Sequence, residues 1–185
     1  HRTMSKVTII IGLPGSGKTT MLFYLHKQNE YYSHQDWSSL GKFEDYTGYE
    51  SLAQQIKNNK NIILDGSSFC NHKFLCEAEY HLNLHFPNVE ITRCYFENNP
   101  EASKANMLYR ENLKGNYWSE VNGELIFHGD HWVEKGPNLN RRSYEVLIDS
   151  INNLSKDYII PNRYTPIQIQ VQDKKYYEGW RALIR

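Results

Sequence analysis

The chain has 185 residues, and its 21 lysine and arginine residues balance 21 aspartate and glutamate residues. This length is enough for one domain with a buried core and is short for two. Zero net charge excludes a protein-wide basic field, so a nucleic-acid ligand would need a local basic patch. No apolar run approaches the roughly 20 residues that a membrane span requires, and no membrane contact is predicted.

The three cysteines, Cys70, Cys76 and Cys94, lack zinc-type spacing. They therefore predict reduced thiols and a cytoplasmic location. His1–Thr3 precede a plausible start at Met4 without a signal peptide, and we expect them to be a vector-derived remnant. The predicted domain is a single unit over 4–185, with no obligate protein partner.

The first predicted strand is the apolar run Val7–Ile11, followed by the glycine-rich segment Gly12–Thr19 and by a helix over 20–25. A short extended segment over 31–36 ends in a carboxylate. Thr47–Glu50 has the form of a capping box at the start of the next helix.

Strand and helix signals continue to alternate further along the chain. Asn61–Asp65 and Val89–Phe96 are predicted strands, and the helix between them carries an apolar stripe from Phe74 to Leu82. Pro100 opens a helix to about Leu113, since proline is tolerated in a first turn.

The last third of the chain combines an irregular region with a late helix and strand. A hairpin is predicted within 116–138, inside a lid or insertion at about 110–139. An apolar stripe from Leu139 to Leu154 predicts a helix, and Ile167–Val171 alternates as a half-buried strand does. The alternating pattern predicts an α/β fold with a doubly wound, mainly parallel sheet and helices on both faces.

The segment after the first strand fits the phosphate-binding pattern G-x-x-x-x-G-K-[ST] at every fixed position. Glycines let consecutive N–H groups point into an anion-binding nest. Lys18 supplies a positive charge for the β- and γ-phosphates, and the Thr19 hydroxyl is the expected Mg²⁺ ligand. The predicted nucleotide-binding residues are Gly12, Pro14, Gly15, Ser16, Gly17, Lys18, Thr19 and Thr20.

Asp36 and Asp65 each end a predicted strand, where ligands bind in open parallel sheets. One carboxylate suits an acceptor hydroxyl and the other suits the water shell of a metal ion. Alternatively, either aspartate caps the next helix, although Ser67 and Ser68 offer a cap after Asp65.

Cationic residues cluster in two other places. Arg110 and Lys114 end the helix after the fourth strand, where they either close over a triphosphate or interact with the helix dipole. Arg141 and Arg142 begin the late helix, where the dipole disfavours cations, which indicates an anionic substrate group.

Two further clusters have functional and structural interpretations. His128, Asp130 and His131 are read as surface or substrate-pocket side chains rather than a metal site, because further ligands at metal spacing are lacking. Tyr117, Trp118 and Trp132 either stack on a base or pack the insertion onto the domain.

The chain resembles the bacteriophage-type 5′-polynucleotide kinases and their P-loop kinase relatives, over roughly residues 5–115 and weakly over Arg141–Ser155. The motifs that carry the resemblance are Gly12–Thr20, Asp36 on the second strand, Ile62-Ile-Leu-Asp-Gly-Ser-Ser-Phe69 and Arg110-Glu-Asn-Leu-Lys-Gly115.

The resemblance implies a P-loop NTPase, nucleotide kinase-like fold, and a phage-encoded origin is in keeping with it. It also implies that Asp36 is the general base, that Asp65 with Ser67 lies at the acceptor site, and that Arg110 and Lys114 belong to a lid. Two positions depart from the family: Ser39 replaces an arginine that grips the acceptor phosphate, and Lys114 replaces a lid arginine. Lysine cannot form the bidentate fork that arginine does.

The sequence therefore predicts a Mg²⁺-dependent kinase that moves the γ-phosphate of ATP or GTP to a hydroxyl of a nucleic-acid or nucleotide acceptor. The acceptor is a 5′-hydroxyl end or a hydroxymethylated DNA base. Zero net charge and Ser39 favour a rival, a kinase of a nucleoside, nucleotide or other small molecule. A rival of another class is an NTP-binding switch module.

Overall fold

The structure is a computed structural model, and it describes residues 5–18, 21, 32–36, 49–113, 118–121, 124–127 and 141–171. For Asp36, Arg110 and Arg141 the description is limited to the backbone. The strands are β1 (Lys6–Ile11), β2 (Tyr32–Asp36), β3 (Asn61–Asp65), β4 (Glu90–Tyr95), β5 (Trp118–Val121) and β6 (Glu124–Phe127). The helices are α1 (Tyr49–Lys57), α2 (His72–His85), α3 (Pro100–Leu113) and α4 (Arg141–Asp157), and Ser67–Cys70 forms a 3-10 turn.

The first four strands form a parallel sheet in the order β2-β3-β1-β4. The chain leaves β1 toward one edge of the sheet, where β2 lies, and leaves β3 toward the opposite edge, where β4 lies. The two connections therefore diverge between β1 and β3, which is the arrangement that places ligand sites at strand ends. The prediction of a parallel α/β sheet is confirmed, and the coverage of both faces by helices stays a prediction.

Two compact units make up the chain. The first comprises His1–Gly12, Gly17–Asn98 and Asp157–Gln168, and the second comprises Leu13–Ser16, Asn99–Lys156 and Ile169–Arg185. The prediction of one domain over 4–185 stays a prediction. Each unit has its own buried residues.

In the first unit, the inner strands β1 and β3 consist mostly of apolar residues. Ile9, Ile10 and Leu64 are fully buried, as expected for strands that pack on both faces of a parallel sheet. The apolar stripe predicted for α2 is also confirmed, because Phe74, Leu75, Ala78 and Leu82 are all buried. Asn71 caps this helix by accepting a hydrogen bond from the Phe74 N–H.

In the second unit, α3 begins at Pro100 as predicted and buries Ala102, Ala105 and Met107. Its polar residues Ser103, Lys104 and Asn106 are buried as well. The predicted hairpin is present, because β5 and β6 pair as antiparallel strands.

The segment predicted as a last strand, 167–171, forms only one bridge, in which Ile167 pairs with Phe96. Phe96 lies just past the end of β4, so the residues after Ile167 run beyond the strand that would pair with them. The alternation of burial persists, since Ile169 is buried whereas Gln168 and Gln170 are exposed. The period-two pattern was therefore correct about which side chains are buried and wrong about an extended ladder.

Tyr158 follows α4 and ties together the ends of β1 and β4. Its hydroxyl donates to the carbonyl of Phe96 at 2.5 Å and lies 3.3 Å from the carbonyl of Ile11. Burial raises the pKa of this hydroxyl, so it stays a neutral donor. The ring stacks on Tyr95, with 6.3 Å between the ring centroids.

We expect Tyr158→Phe to lower the free energy of unfolding by about 1–2 kcal/mol, because a buried carbonyl loses its donor. Tyr80→Phe is the matched control, since Tyr80 is 63% exposed and its hydroxyl is in water. Urea unfolding measures both variants. Equal stability of the two variants would show that the Tyr158 hydroxyl does not hold the strand ends together.

Candidate functional site

The segment Leu13–Ser16 after β1 has the features of a type II turn. The Ser16 N–H donates to the Leu13 carbonyl at 3.1 Å, and the buried Ser16 hydroxyl donates to the same oxygen at 2.7 Å. Pro14 supplies the fixed φ of the second position, and Gly15 has the positive φ of +84° that the third position requires. The sequence Leu-Pro-Gly-Ser thus specifies this turn.

Gly17 and Lys18 join the turn to the start of a helix. Gly17 has a φ of +106°, and its carbonyl accepts the first helical hydrogen bond from the Met21 N–H at 3.0 Å. Lys18 is the first helical residue. The order of strand, glycine turn and helix start is the one that aims N–H groups and the positive helix end at an anion.

In the first unit, the Lys18 ammonium connects the chain after β1 to the chain after β3. Its Nζ donates to the Gly12 carbonyl at 2.7 Å and lies 3.5 Å from the Ser67 hydroxyl. These positions are at the carboxyl ends of the two strands between which the connections diverge. Ligands of open parallel sheets bind at such strand ends, and a cation there attracts anionic groups.

Cys70 lies near this ammonium and is buried. Burial raises the pKa of its thiol to about 12, although the charge of Lys18 and a hydrogen bond from the Gly12 backbone act in the opposite direction. The thiol is therefore neutral at physiological pH, and Cys70 adds no negative charge beside Lys18.

Asp36 and Asp65 lie directly opposite each other in the register of β2 and β3. Neighbouring strands are about 4.8 Å apart, so the backbones of the two aspartates are adjacent at the carboxyl end of the sheet. Asp65 is buried, with 7% of its surface exposed. Sequence reasoning placed both residues at strand ends but did not predict that they are neighbours.

In the second unit, Gly15 packs closely against α3. A Cβ atom at Gly15 would lie 2.4 Å from the Ser103 carbonyl oxygen and 3.0 Å from Cγ of Met107. The Gly15 carbonyl accepts a hydrogen bond from Nδ2 of Asn106 at 2.9 Å. Sequence reasoning missed Asn106; the available signal was a polar side chain on a helix whose neighbouring alanines indicate close packing.

The remaining predicted site residues are only partly described. Arg110 lies in the last turn of α3, and Arg141 is the first residue of α4, as predicted. Arg142 is the second residue of α4, as predicted. Thr19, Thr20 and Lys114 lie outside the described residues, as do Ser39, Tyr117, Trp132 and the cluster His128, Asp130 and His131. Within the described ranges, no three residues among His, Cys, Asp and Glu are grouped as metal ligands.

No protein-family model matches this chain, and no curated protein sequence matches it. In the part of the chain that the structure describes, no helix is both long enough and apolar enough to cross a membrane.

We expect Gly15→Ala to destabilise the protein by about 2–4 kcal/mol, because the new Cβ meets a backbone carbonyl as well as a positive φ. Gly17→Ala is the matched control, because its positive φ carries a similar cost but its Cβ would make an ordinary 3.7 Å contact with Phe96. The free energy of unfolding of Gly17→Ala is expected to fall by about 1–2 kcal/mol. Thermal or urea unfolding measures the difference, and equal losses would contradict the close approach of α3.

Proposed function

We propose that this protein is a P-loop kinase with a doubly wound sheet, which transfers the γ-phosphate of ATP or GTP to a hydroxyl group. The observation that carries the proposal is the conformation of residues 12–18. A buried parallel strand is followed by a type II turn, two glycines with positive φ and a lysine at the start of a helix. These features together favour a polyphosphate ligand over an ordinary glycine-rich turn.

In this proposal the backbone N–H groups at the helix start bind the β- and γ-phosphates, and the Lys18 ammonium exchanges its Gly12 and Ser67 partners for phosphate oxygens. The neutral thiol of Cys70 leaves the charge of Lys18 for the nucleotide. Little covalent chemistry is required of the protein in phosphoryl transfer, so positioning and charge do most of the catalysis.

We propose that a magnesium ion accompanies the nucleotide. Oxygen ligands are what Mg²⁺ prefers, and Asp65 brings a buried carboxylate to the end of β3, two residues before Ser67. We propose that Thr19 and the Asp65 carboxylate hold the ion, the latter through water. When bound, the ion neutralises charge on the donor phosphates.

Asp36 is proposed as the general base that takes the proton of the acceptor hydroxyl. Its register position beside Asp65, at the carboxyl ends of β2 and β3, supports one carboxylate as the base and the other as the metal ligand. Ser67 and Arg141 are proposed for the acceptor, and Arg110 and Lys114 for charge stabilisation during transfer.

The acceptor that we favour is a nucleic-acid end, a hydroxymethylated DNA base or a nucleotide. Ser39 stands where the resembling kinases hold the acceptor phosphate through an arginine, which favours a nucleoside or another small molecule as the second candidate. An NTP-binding switch is the rival of another class, and it would hydrolyse nucleotide without an acceptor.

The test is incubation with γ-labelled ATP or GTP and a panel of acceptors: 5′-hydroxyl DNA, 5′-hydroxyl RNA, modified-base DNA, nucleosides and nucleoside monophosphates. We expect label transfer to one acceptor class, and a loss of roughly 10²–10³-fold in Lys18→Ala, as for removal of one group that stabilises developing charge. Lys57→Ala, an exposed lysine at the end of α1, is the control. Hydrolysis that is independent of every acceptor would overturn the kinase proposal.

Asp36→Asn separates the kinase from the switch. If Asp36 is the base, transfer falls by roughly 10²–10⁴-fold while nucleotide affinity stays near normal. Asn keeps the size and capping ability of Asp, so a structural cap survives the change. Asp157→Asn, at the exposed end of α4, is the control.

Label transfer and calorimetry of nucleotide binding, measured on the same preparation, decide the role of Asp36. Transfer within about twofold of wild type would assign Asp36 to capping. Collapse of nucleotide affinity would instead place Asp36 at the metal and make Asp65 the base.

A further inference from the structure

Asn106 joins three segments of the second unit through one amide group. Its Nδ2 donates one hydrogen to the Gly15 carbonyl and the other to the Gln170 carbonyl, each at 2.9 Å. A side-chain amide nitrogen has two hydrogens, so these bonds use its full donor capacity. The residue is buried, with 7% of its surface exposed, where unsatisfied donors or acceptors are costly.

The contact fixes one peptide plane of the phosphate-binding turn. The carbonyl of the Gly15–Ser16 peptide is bonded to Asn106, and the N–H of the same peptide is bonded to the Leu13 carbonyl at 3.1 Å. A peptide held at both polar atoms cannot rotate without breaking both bonds. The Gly15 carbonyl oxygen is therefore held against α3, where its partial negative charge does not repel an incoming anion.

Neighbouring backbone strengthens this constraint. The Ser103 carbonyl lies so close to Gly15 that no side chain fits between them. Ser103, Asn106 and Met107 are three or four residues apart, so they lie on the same face of α3. Arg110 follows Asn106 by four residues, which places it one turn further along the helix that contacts Gly15.

We propose that Asn106 is a positioning residue for polyphosphate binding, which holds the Gly15 carbonyl and thereby keeps the turn Leu13–Ser16 in the conformation that polyphosphate binding requires. The proposal rests on the proposed function for the identity of the ligand. It also assigns Gln170 to the residues that hold Asn106 in place, because Asn106 donates to the carbonyls of both Gly15 and Gln170.

Asn106 acts through the turn on the binding of the nucleotide phosphates, and it does not stabilise the charge that develops during phosphoryl transfer. Its removal is therefore expected to raise the KM for ATP by about tenfold, the effect of losing one well-placed hydrogen bond, and to change kcat less. Neutralising Arg110 is expected to give the opposite pattern, a lower kcat with little change in KM.

The test compares Asn106→Ala and Asn106→Asp with wild type. Asp keeps the volume of Asn but has no N–H group, so it separates hydrogen bonding from packing. Asn98→Ala is the matched control, because the Asn98 side-chain amide also donates to a backbone carbonyl, that of Tyr158 at 3.2 Å. Affinities for ATP and for inorganic tripolyphosphate are measured by calorimetry, well below the melting temperature of each variant.

We expect both Asn106 variants to bind each ligand about tenfold more weakly and Asn98→Ala to bind within about twofold of wild type. Binding by the Asn106 variants within twofold of wild type, even with a lowered melting temperature, would overturn the proposal and leave Asn106 a purely structural residue.

Hydrogen exchange of the ligand-free protein is a second readout that does not depend on nucleotide binding. Faster exchange in the peptide covering residues 12–18 of Asn106→Ala, and not of Asn98→Ala, supports the positioning role. Unchanged exchange overturns it. If wild type binds neither ATP nor tripolyphosphate, the proposed function fails, and exchange alone decides whether Asn106 fixes the turn.

Discussion

Burial of β1 between two parallel neighbours is the constraint on which the candidate site depends. β3 and β4 bond to β1 along its length, and Ile9, Ile10 and Ile11 have no exposed surface. The strand therefore cannot shift in register without exposing its apolar side chains or breaking two ladders. The end of β1 is fixed relative to the ends of its neighbours, so the segment Gly12–Lys18 begins from a defined point at the carboxyl end of the sheet.

The turn after β1 is held by interactions that differ in sequence range. The bonds between Ser16 and Leu13 are local, and the dipeptide Pro14-Gly15 favours the turn that they close. The bond from Asn106 spans more than ninety residues of chain and limits the same turn from outside. Local preference selects the conformation, and the long-range bond removes the alternatives that glycines leave open.

The sequence predicted the elements whose signals are local. Apolar runs identified β1 and β3, the stripe of Phe74, Leu75, Ala78 and Leu82 identified α2, and Pro100 marked the start of α3. Strand order, the pairing of Asp36 with Asp65 and the two bonds of Asn106 depend on contacts between distant segments, which periodicity does not encode. The single bridge at Ile167 is another example. Alternation of apolar and polar residues predicts which side chains are buried, but strand pairing also requires a partner strand.

The positions of the charged residues at the carboxyl end of the sheet follow from the strand order β2-β3-β1-β4. The chain after β1 reaches Lys18 at the start of a helix, whereas β2 and β3 end in neighbouring aspartates. Ser67 after β3 lies 3.5 Å from the Lys18 ammonium, so the segments that follow β1 and β3 approach each other where the chain connections diverge. Burial raises the pKa of the Cys70 thiol, so this neighbour of Lys18 adds no negative charge. In the kinase that we propose, the anionic donor binds beside Lys18 and the hydroxyl acceptor binds beside the two aspartates.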